Sequence, residues 1–251
     1  MSCDCLLVLP PDSPYFAHSA TRNSTQLWPP LGISYLVDSL ESSGFHTEIL
    51  DLRLACDPEV AFKEALCKLS PGMIGFSALT PNYHAACILA QYTRAISPGT
   101  PVIIGGHHAS ALPHEVLKEG LFDVVCLGDG EATIVELAEC FLQQNRPLES
   151  IAGIAYGESC FTPPRVMHDL DEYSSLKLDK FPMEQYPKSG AIMTSRGCYR
   201  RCVYCAVGSA AKPVRFHSVH WVISEIEYYH AHFGVYHVDF YDDNFSANRR
   251  R

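Results

Sequence analysis

Through the first 150 residues, largely apolar runs alternate with segments whose apolar positions return every three or four residues. Runs at 5–9, 73–78, 101–104 and 123–127, and a shorter one at 48–51, predict strands covered on both faces. Between them, 31–42 (Leu36, Val37, Leu40), 59–69, 83–96 and 114–119 carry the helical period, and 132–144 closes the series. Residues 151–156 predict an added edge strand. Parallel neighbours need a crossover, usually a helix, so the beat predicts an α/β fold with a doubly wound, Rossmann-like parallel sheet.

Such sheets bind ligands at the carboxyl ends of their strands. Three of these ends carry small and polar residues: Ser77-Ala78-Leu79-Thr80-Pro81, Gly105-Gly106-His107-His108 and Gly128-Asp129-Gly130-Glu131-Ala132-Thr133. Glycine lets a large ligand approach the backbone, and hydroxyls and free amides can bond it. Neither G-x-G-x-x-G nor G-x-x-x-x-G-K-[ST] occurs, so a nicotinamide dinucleotide or ATP loses support. A plainer reading remains open, in which the glycines only permit turns and Asp129, Glu131 and Thr133 only favour a helix start.

The pattern lapses over 157–188, where Pro163, Pro164, Pro182 and Pro187 punctuate a predicted linker. A second βαβ unit follows: a strand at 190–194, an amphipathic helix at 219–233 with Val222, Ile226 and Tyr229 on one face, and a strand at 235–241. The domains read as 1–156, a linker, and 189–251. With 47% hydrophobic residues among 251, disorder is excluded. No apolar run reaches the roughly 18 residues of a membrane span, and the start lacks a signal-peptide pattern, so a cytoplasmic protein is expected. The 19 basic against 28 acidic residues, a net charge of −9, do not favour nucleic acid as a partner.

Eleven cysteines, an odd number, do not suggest a disulfide framework in such a chain. Cys67, Cys87, Cys126 and Cys140 sit in apolar stretches and read as small hydrophobes. Cys198, Cys202 and Cys205 differ, because Ser195-Arg196-Gly197-Cys198-Tyr199-Arg200-Arg201-Cys202-Val203-Tyr204-Cys205 directly follows a predicted strand. Gaps of three and two residues let one loop, its turn relieved by Gly197, aim three sulfurs at one metal centre. Zinc wants a fourth Cys or His. His217 and His220 are available, but not at finger or ribbon spacing. A 4Fe-4S cluster normally takes four thiolates, so three leave one iron open for a substrate-like ligand.

Cys-x-x-x-Cys-x-x-Cys after a strand, with Tyr204 before the last cysteine, resembles the loop of radical S-adenosylmethionine (radical SAM) enzymes. Together with Pro29-Pro30-Leu31-Gly32, Gly75-Phe76-Ser77 with Thr80 and Tyr83, Ile103-Ile104-Gly105-Gly106-His107-His108-Ala109-Ser110 and Leu127-Gly128-Asp129-Gly130-Glu131-Ala132-Thr133, nearly the whole chain resembles the radical SAM family with a cobalamin-binding domain. The resemblance implies cobalamin on the first domain, contacted by Ser77, Thr80, Gly105, Gly106, His107, Gly128, Asp129, Gly130 and Glu131. No Asp-x-His-x-x-Gly follows the first strand, which fits family members that bind cobalamin without a histidine beneath the cobalt. The 4Fe-4S cluster would sit on Cys198, Cys202 and Cys205, with S-adenosylmethionine on its open iron. Tyr204, and Asp242 of Asp242-Asp243-Asn244-Phe245, would meet that cofactor.

The implied second domain is a partial TIM-type barrel of about six βα units, of which the sequence holds the first, so the chain is expected to be incomplete. The implied activity is methyl transfer or related radical chemistry on an unactivated carbon of a small-molecule, lipid or tetrapyrrole substrate. An external electron donor such as a flavodoxin or ferredoxin would serve it. Two alternatives stand beside it: a non-catalytic cobalamin-binding fragment or carrier, and a radical methylthiotransferase acting on tRNA. The latter needs a second cluster, for which Cys3, Cys56 and Cys87 are the candidates, and the acidic balance opposes it.

Overall fold

The computed structural model describes residues 3–12, 27–173, 178–186, 189–205 and 213–248. Most of the Pro-rich loop after the first strand, Pro187 and the residues just after Cys205 fall outside these ranges. The chain divides into two compact units, residues 1–25 with 36–166, and residues 26–35 with 167–251.

The first unit is built on β1 (Cys5–Leu9), α1 (Leu31–Ser42, whose first residues count with the second unit), β2 (Thr47–Asp51), α2 (Pro58–Leu69), β3 (Met73–Ser77) and α3 (Tyr83–Ile96). It continues with β4 (Val102–Gly105), α4 (His107–Ala111), α5 (Pro113–Lys118), β5 (Val124–Cys126), α6 (Glu131–Ala138), β6 (Ile154–Tyr156) and β7 (Cys160–Phe161). The seven strands lie in the order β2-β1-β3-β4-β5-β6-β7. The first five are mutually parallel, and β6 and β7 are antiparallel additions. The order reverses between β1 and β3, the switch point at which doubly wound sheets take ligands.

Alternate residues face opposite sides of a strand, so both faces must be apolar where helices cover both. On one face Leu6, Val8, Ile74, Phe76, Val102, Ile104 and Val125 form a core with Phe62 and Leu66 of α2, Ala86, Leu89 and Ala90 of α3, and Val116 and Leu117 of α5. On the other, Leu7, Met73, Ile103 and Val124 are equally buried, and Ile134 of α6 packs toward Gly75. Asp57 caps α2 by accepting from Val60 N at 3.1 Å, and Pro58 occupies the first turn, where its missing N–H is not needed.

Several expectations are amended. Residues 151–156 yield a strand that is not the edge, because β7, within the expected linker, pairs outside it. The helix expected over 132–144 is α-helical only to Ala138 and ends in a π turn, Glu139–Gln143. Cys87 and Cys126 are buried as expected of small hydrophobes, whereas Cys67 is exposed on α2.

In the second unit β8 (Gly190–Ile192), α7 (Val219–Phe233) and β11 (Val238–Phe240) form a parallel βαβ unit, and β9 (Ser195–Arg196) pairs antiparallel with β10 (Arg215–Phe216). The strand expected over 190–194 thus ends early, since the chain turns at Met193–Thr194 into β9. Ser218 caps α7, accepting from Trp221 N at 3.2 Å, and Gly234 closes it in the left-handed conformation. Tyr229 is fully buried with its hydroxyl donating to Ala191 O at 2.8 Å, whereas Val222 and Ile226 are half-buried and Glu225 is buried among them.

Candidate functional sites

In the first unit the loops after β3, β4 and β5 are tied to one another by short-range polar bonds. Ala78 N donates to Gly105 O at 3.0 Å, and His108 N donates to Ala78 O at 3.3 Å. The Thr80 hydroxyl and His108 Nδ1 lie 3.1 Å apart, and Gly128 N donates to Ser110 Oγ at 3.1 Å. Asn82 closes the turn at Thr80–Asn82 by accepting from Leu79 N at 2.8 Å, and its amide reaches Pro10 O beyond β1 at 3.5 Å. Ser77, Thr80, Gly105, Gly106, His107, Gly128, Asp129, Gly130 and Glu131 therefore gather at one sheet edge, where Leu79, Thr80, His107 and Gly128 are exposed.

Side-chain directions there separate residues that look alike in sequence. His107 points to solvent, whereas His108 is buried and stacked on the Tyr83 ring, with centroids 4.0 Å apart. Burial holds the His108 imidazole below the ordinary histidine pKa, outweighing the nearby Glu115, and so keeps it neutral near pH 7. Gly106 has φ +99°, and a Cβ there would stand 2.5 Å from Ala78 O, so this glycine is required by the protein's own backbone. A Cβ on Gly105 would meet only Cys126 Cβ, at 3.5 Å. A histidine in such a loop reads from sequence as a structural hydrogen-bonder, and His108 is one, whereas Ser110 enters only as part of its motif and Asn82 carries no signal. No local pattern marks which of two adjacent histidines faces inward.

In the second unit Cys198, Cys202 and Cys205 occupy one loop after β9, its Cys202–Cys205 turn closed by Cys205 N donating to Cys202 O at 3.0 Å. Gly197, at φ +92°, lets the loop leave β9. Tyr204 is exposed. Among the described residues no three Cys, His, Asp or Glu groups are drawn together as a metal cage. The donor set of three thiols from one loop, Cys202 exposed and the other two part-exposed, nevertheless has the chemistry of an iron-sulfur site with one position left open. His217 turns its Nδ1 to Asp171 Oδ1 at 3.0 Å and stacks its ring on Trp221. Asp242 turns its carboxylate onto the chain, accepting from Thr194 N at 3.2 Å, from Thr194 Oγ1 at 2.8 Å and from the Ser195 hydroxyl.

Residues 18–138 match the family model of the B12 binding domain. An uncharacterised methyltransferase of Pyrococcus horikoshii is 32% identical over 98% of the chain and 54% of its own length. The anaerobic magnesium-protoporphyrin IX monomethyl ester cyclase of Rubrivivax gelatinosus is 27% identical over 84% of the chain and 40% of its own length. Among solved structures, the radical SAM methyltransferase TsrM of Kitasatospora setae superposes over 98% of the chain and 49% of its own, with a TM-score of 0.78 at 21% identity. The cobalamin-dependent radical SAM enzyme OxsB gives the same TM-score of 0.78 over 96% of the chain and 34% of its own, at 20% identity.

The chain therefore carries a B12-binding domain of the doubly wound α/β class. More particularly, it is similar in sequence to curated methyltransferases and a cyclase, and it shares its fold with solved cobalamin-dependent radical SAM enzymes. It spans about half the length of the curated relatives it matches, between 40% and 54%. No helix among its described residues is long and apolar enough to cross a membrane.

Proposed function

We propose that the chain serves a cobalamin- and 4Fe-4S-dependent radical SAM reaction, methyl transfer or a related step at an unactivated carbon of a small-molecule, lipid or tetrapyrrole substrate. The observation that carries this is the loop of Cys198, Cys202 and Cys205, three thiols set between β8 and α7 of the parallel βαβ unit. When bound, the cluster supplies an electron to S-adenosylmethionine and cobalamin a methyl carrier, chemistry that belongs to the cofactors.

The residues' share is binding and orientation. The three thiolates hold the iron, and Tyr204 offers an exposed aromatic face beside Cys205. At the edge of the first unit, Ser77, Thr80, Gly105, Gly128, Asp129 and Gly130 are the residues that would hold cobalamin. Glu131 is buried at the start of α6, where it shapes that loop. His108 is neutral and engaged with Thr80, so it serves as a fixed hydrogen-bonding wall. A second cluster on Cys3, Cys56 and Cys87 gains no support, since Cys3 and Cys87 are buried and Cys56 is exposed.

Anaerobic reconstitution tests the reading. About four irons per chain are expected, lost on replacing Cys198, Cys202 or Cys205 by Ala and kept in Cys140→Ala. Tight zinc without iron, or equal losses in all four variants, overturns it. Formation of 5′-deoxyadenosine from S-adenosylmethionine distinguishes a catalytic chain from a cobalamin carrier.

A further inference from the structure

At the root of the cysteine loop, polar groups far apart in sequence meet in a small network. Thr194 and Ser195, each 1% exposed, give Asp242 two hydroxyl bonds and one amide bond, which occupy three of the carboxylate's roughly four acceptor sites. Tyr241 N donates to Ile192 O at 2.8 Å, extending the β8–β11 ladder to the residue before Asp242. Two residues further on, Asn244 Nδ2 donates to Cys198 Sγ at 3.8 Å. One short segment after β11 thus grips both the turn from β8 into β9 and the first sulfur of the loop that follows.

We propose that Asp242 and Asn244 are positioning residues of the cysteine loop: Asp242 fixes Thr194 and Ser195, and Asn244, through its amide on the Cys198 sulfur, sets the reduction potential of the metal centre held there. For the metal centre this rests on the function proposed above. The sign follows from charge. Reduction adds an electron whose density is shared with the thiolate sulfurs, so an N–H aimed at sulfur stabilises the reduced state more than the oxidised one. Removing it makes the potential more negative. Asp242 acts earlier, by holding the backbone from which Gly197 and Cys198 are presented. Shielded bonds of this kind keep a loop closed against local opening.

Two measurements on the full chain separate the parts. On metal-free protein, hydrogen exchange across 194–205 is expected to be about tenfold faster in Asp242→Ala than in the wild type, with Asp242→Asn between them. On reconstituted protein, potentiometric titration read by electron paramagnetic resonance is expected to show Asn244→Leu holding its iron. Its reduced-to-oxidised ratio at a fixed potential should fall about tenfold, or 59 mV for one electron, and Asn244→Gln, which keeps a donor, should recover part of the shift. Unchanged exchange in Asp242→Ala overturns the role of Asp242, and an unchanged potential in Asn244→Leu with full iron overturns that of Asn244. If the wild type takes up no iron while Asp242→Ala still loosens the loop, the metal centre and the role of Asn244 fall and the grip of Asp242 on the loop stands.

Discussion

Replacing Gly106 by Ala adds one methyl group to a backbone with φ 99° and ψ 179°, a region open almost only to glycine. Holding alanine there costs about 1–3 kcal/mol. The new Cβ would also stand 2.5 Å from Ala78 O and 2.9 Å from Ala78 N, backbone atoms that cannot rotate aside. Moving them breaks the bonds Ala78 N to Gly105 O and His108 N to Ala78 O, worth about 1 kcal/mol each. The sum is about 3–5 kcal/mol, against total stabilities of roughly 5–15 kcal/mol for a domain. With a urea slope near ~2 kcal/mol/M, the unfolding midpoint of the first unit should fall by about 1.5–2.5 M. Gly105→Ala is the control one residue away, since its Cβ meets only Cys126 Cβ at an ordinary 3.5 Å, and it should unfold within about 1 kcal/mol of the wild type. Coincident midpoints for the two variants would refute the reasoning. The pair also decides how the cofactor edge is probed: cobalamin binding lost in Gly106→Ala reports folding, whereas binding lost in a folded Gly105→Val reports steric exclusion of the ligand.

Burial raises the thiol of Cys3 to about 11 and those of Cys5 and Cys126 to about 12, from 9.0 in the open chain. The folded state therefore keeps protons that the unfolded chain releases, so stability from these groups is whole below pH 9 and declines as pH rises from 9 toward 12. Urea midpoints measured at about pH 8 and about pH 10.5 should differ accordingly, and equal midpoints would count against buried, protonated thiols. In the second unit, Tyr229→Phe keeps the ring under Gly190 but deletes the bond to Ala191 O, and should cost about 1 kcal/mol. Tyr229→Ala also empties a fully buried site and should cost about 3–5 kcal/mol, and equal melting losses for the two would show that the hydroxyl, not the ring, carries the packing.

The central strands and most helices of the first unit were legible because burial on both faces leaves a run of apolar residues that no solvated loop would carry. The helices at Tyr83–Ile96 and Val219–Phe233 have the bounds their periodicity predicts. What escaped were elements too short to have a period. Cys160–Phe161 and Ser195–Arg196 are two-residue strands whose identity lies in the partner they pair with, and the antiparallel sense of Ile154–Tyr156 depends on the same distant pairing.

The candidate sites divide along the same physical line. Three thiols at spacings of three and two declare themselves by element and reach, because little else in a polar loop needs sulfur. The glycine-rich edge declares only that something comes close to the backbone. At Gly106 that something is Ala78, and at Gly130 a Cβ would meet Leu36 Cδ2 at 3.1 Å, so part of the signal was the protein packing on itself. Asp242 repeats the point from the other side. Its place in Asp242-Asp243-Asn244-Phe245 suggested a group turned toward a cofactor, yet its carboxylate is turned toward hydroxyls about fifty residues earlier, a bond with no local signature. A residue type announces what chemistry a side chain can do, but direction is set by the partner strand. The spacing of the three thiols is therefore legible in the sequence, while the groups bonded to their loop became visible only in the fold.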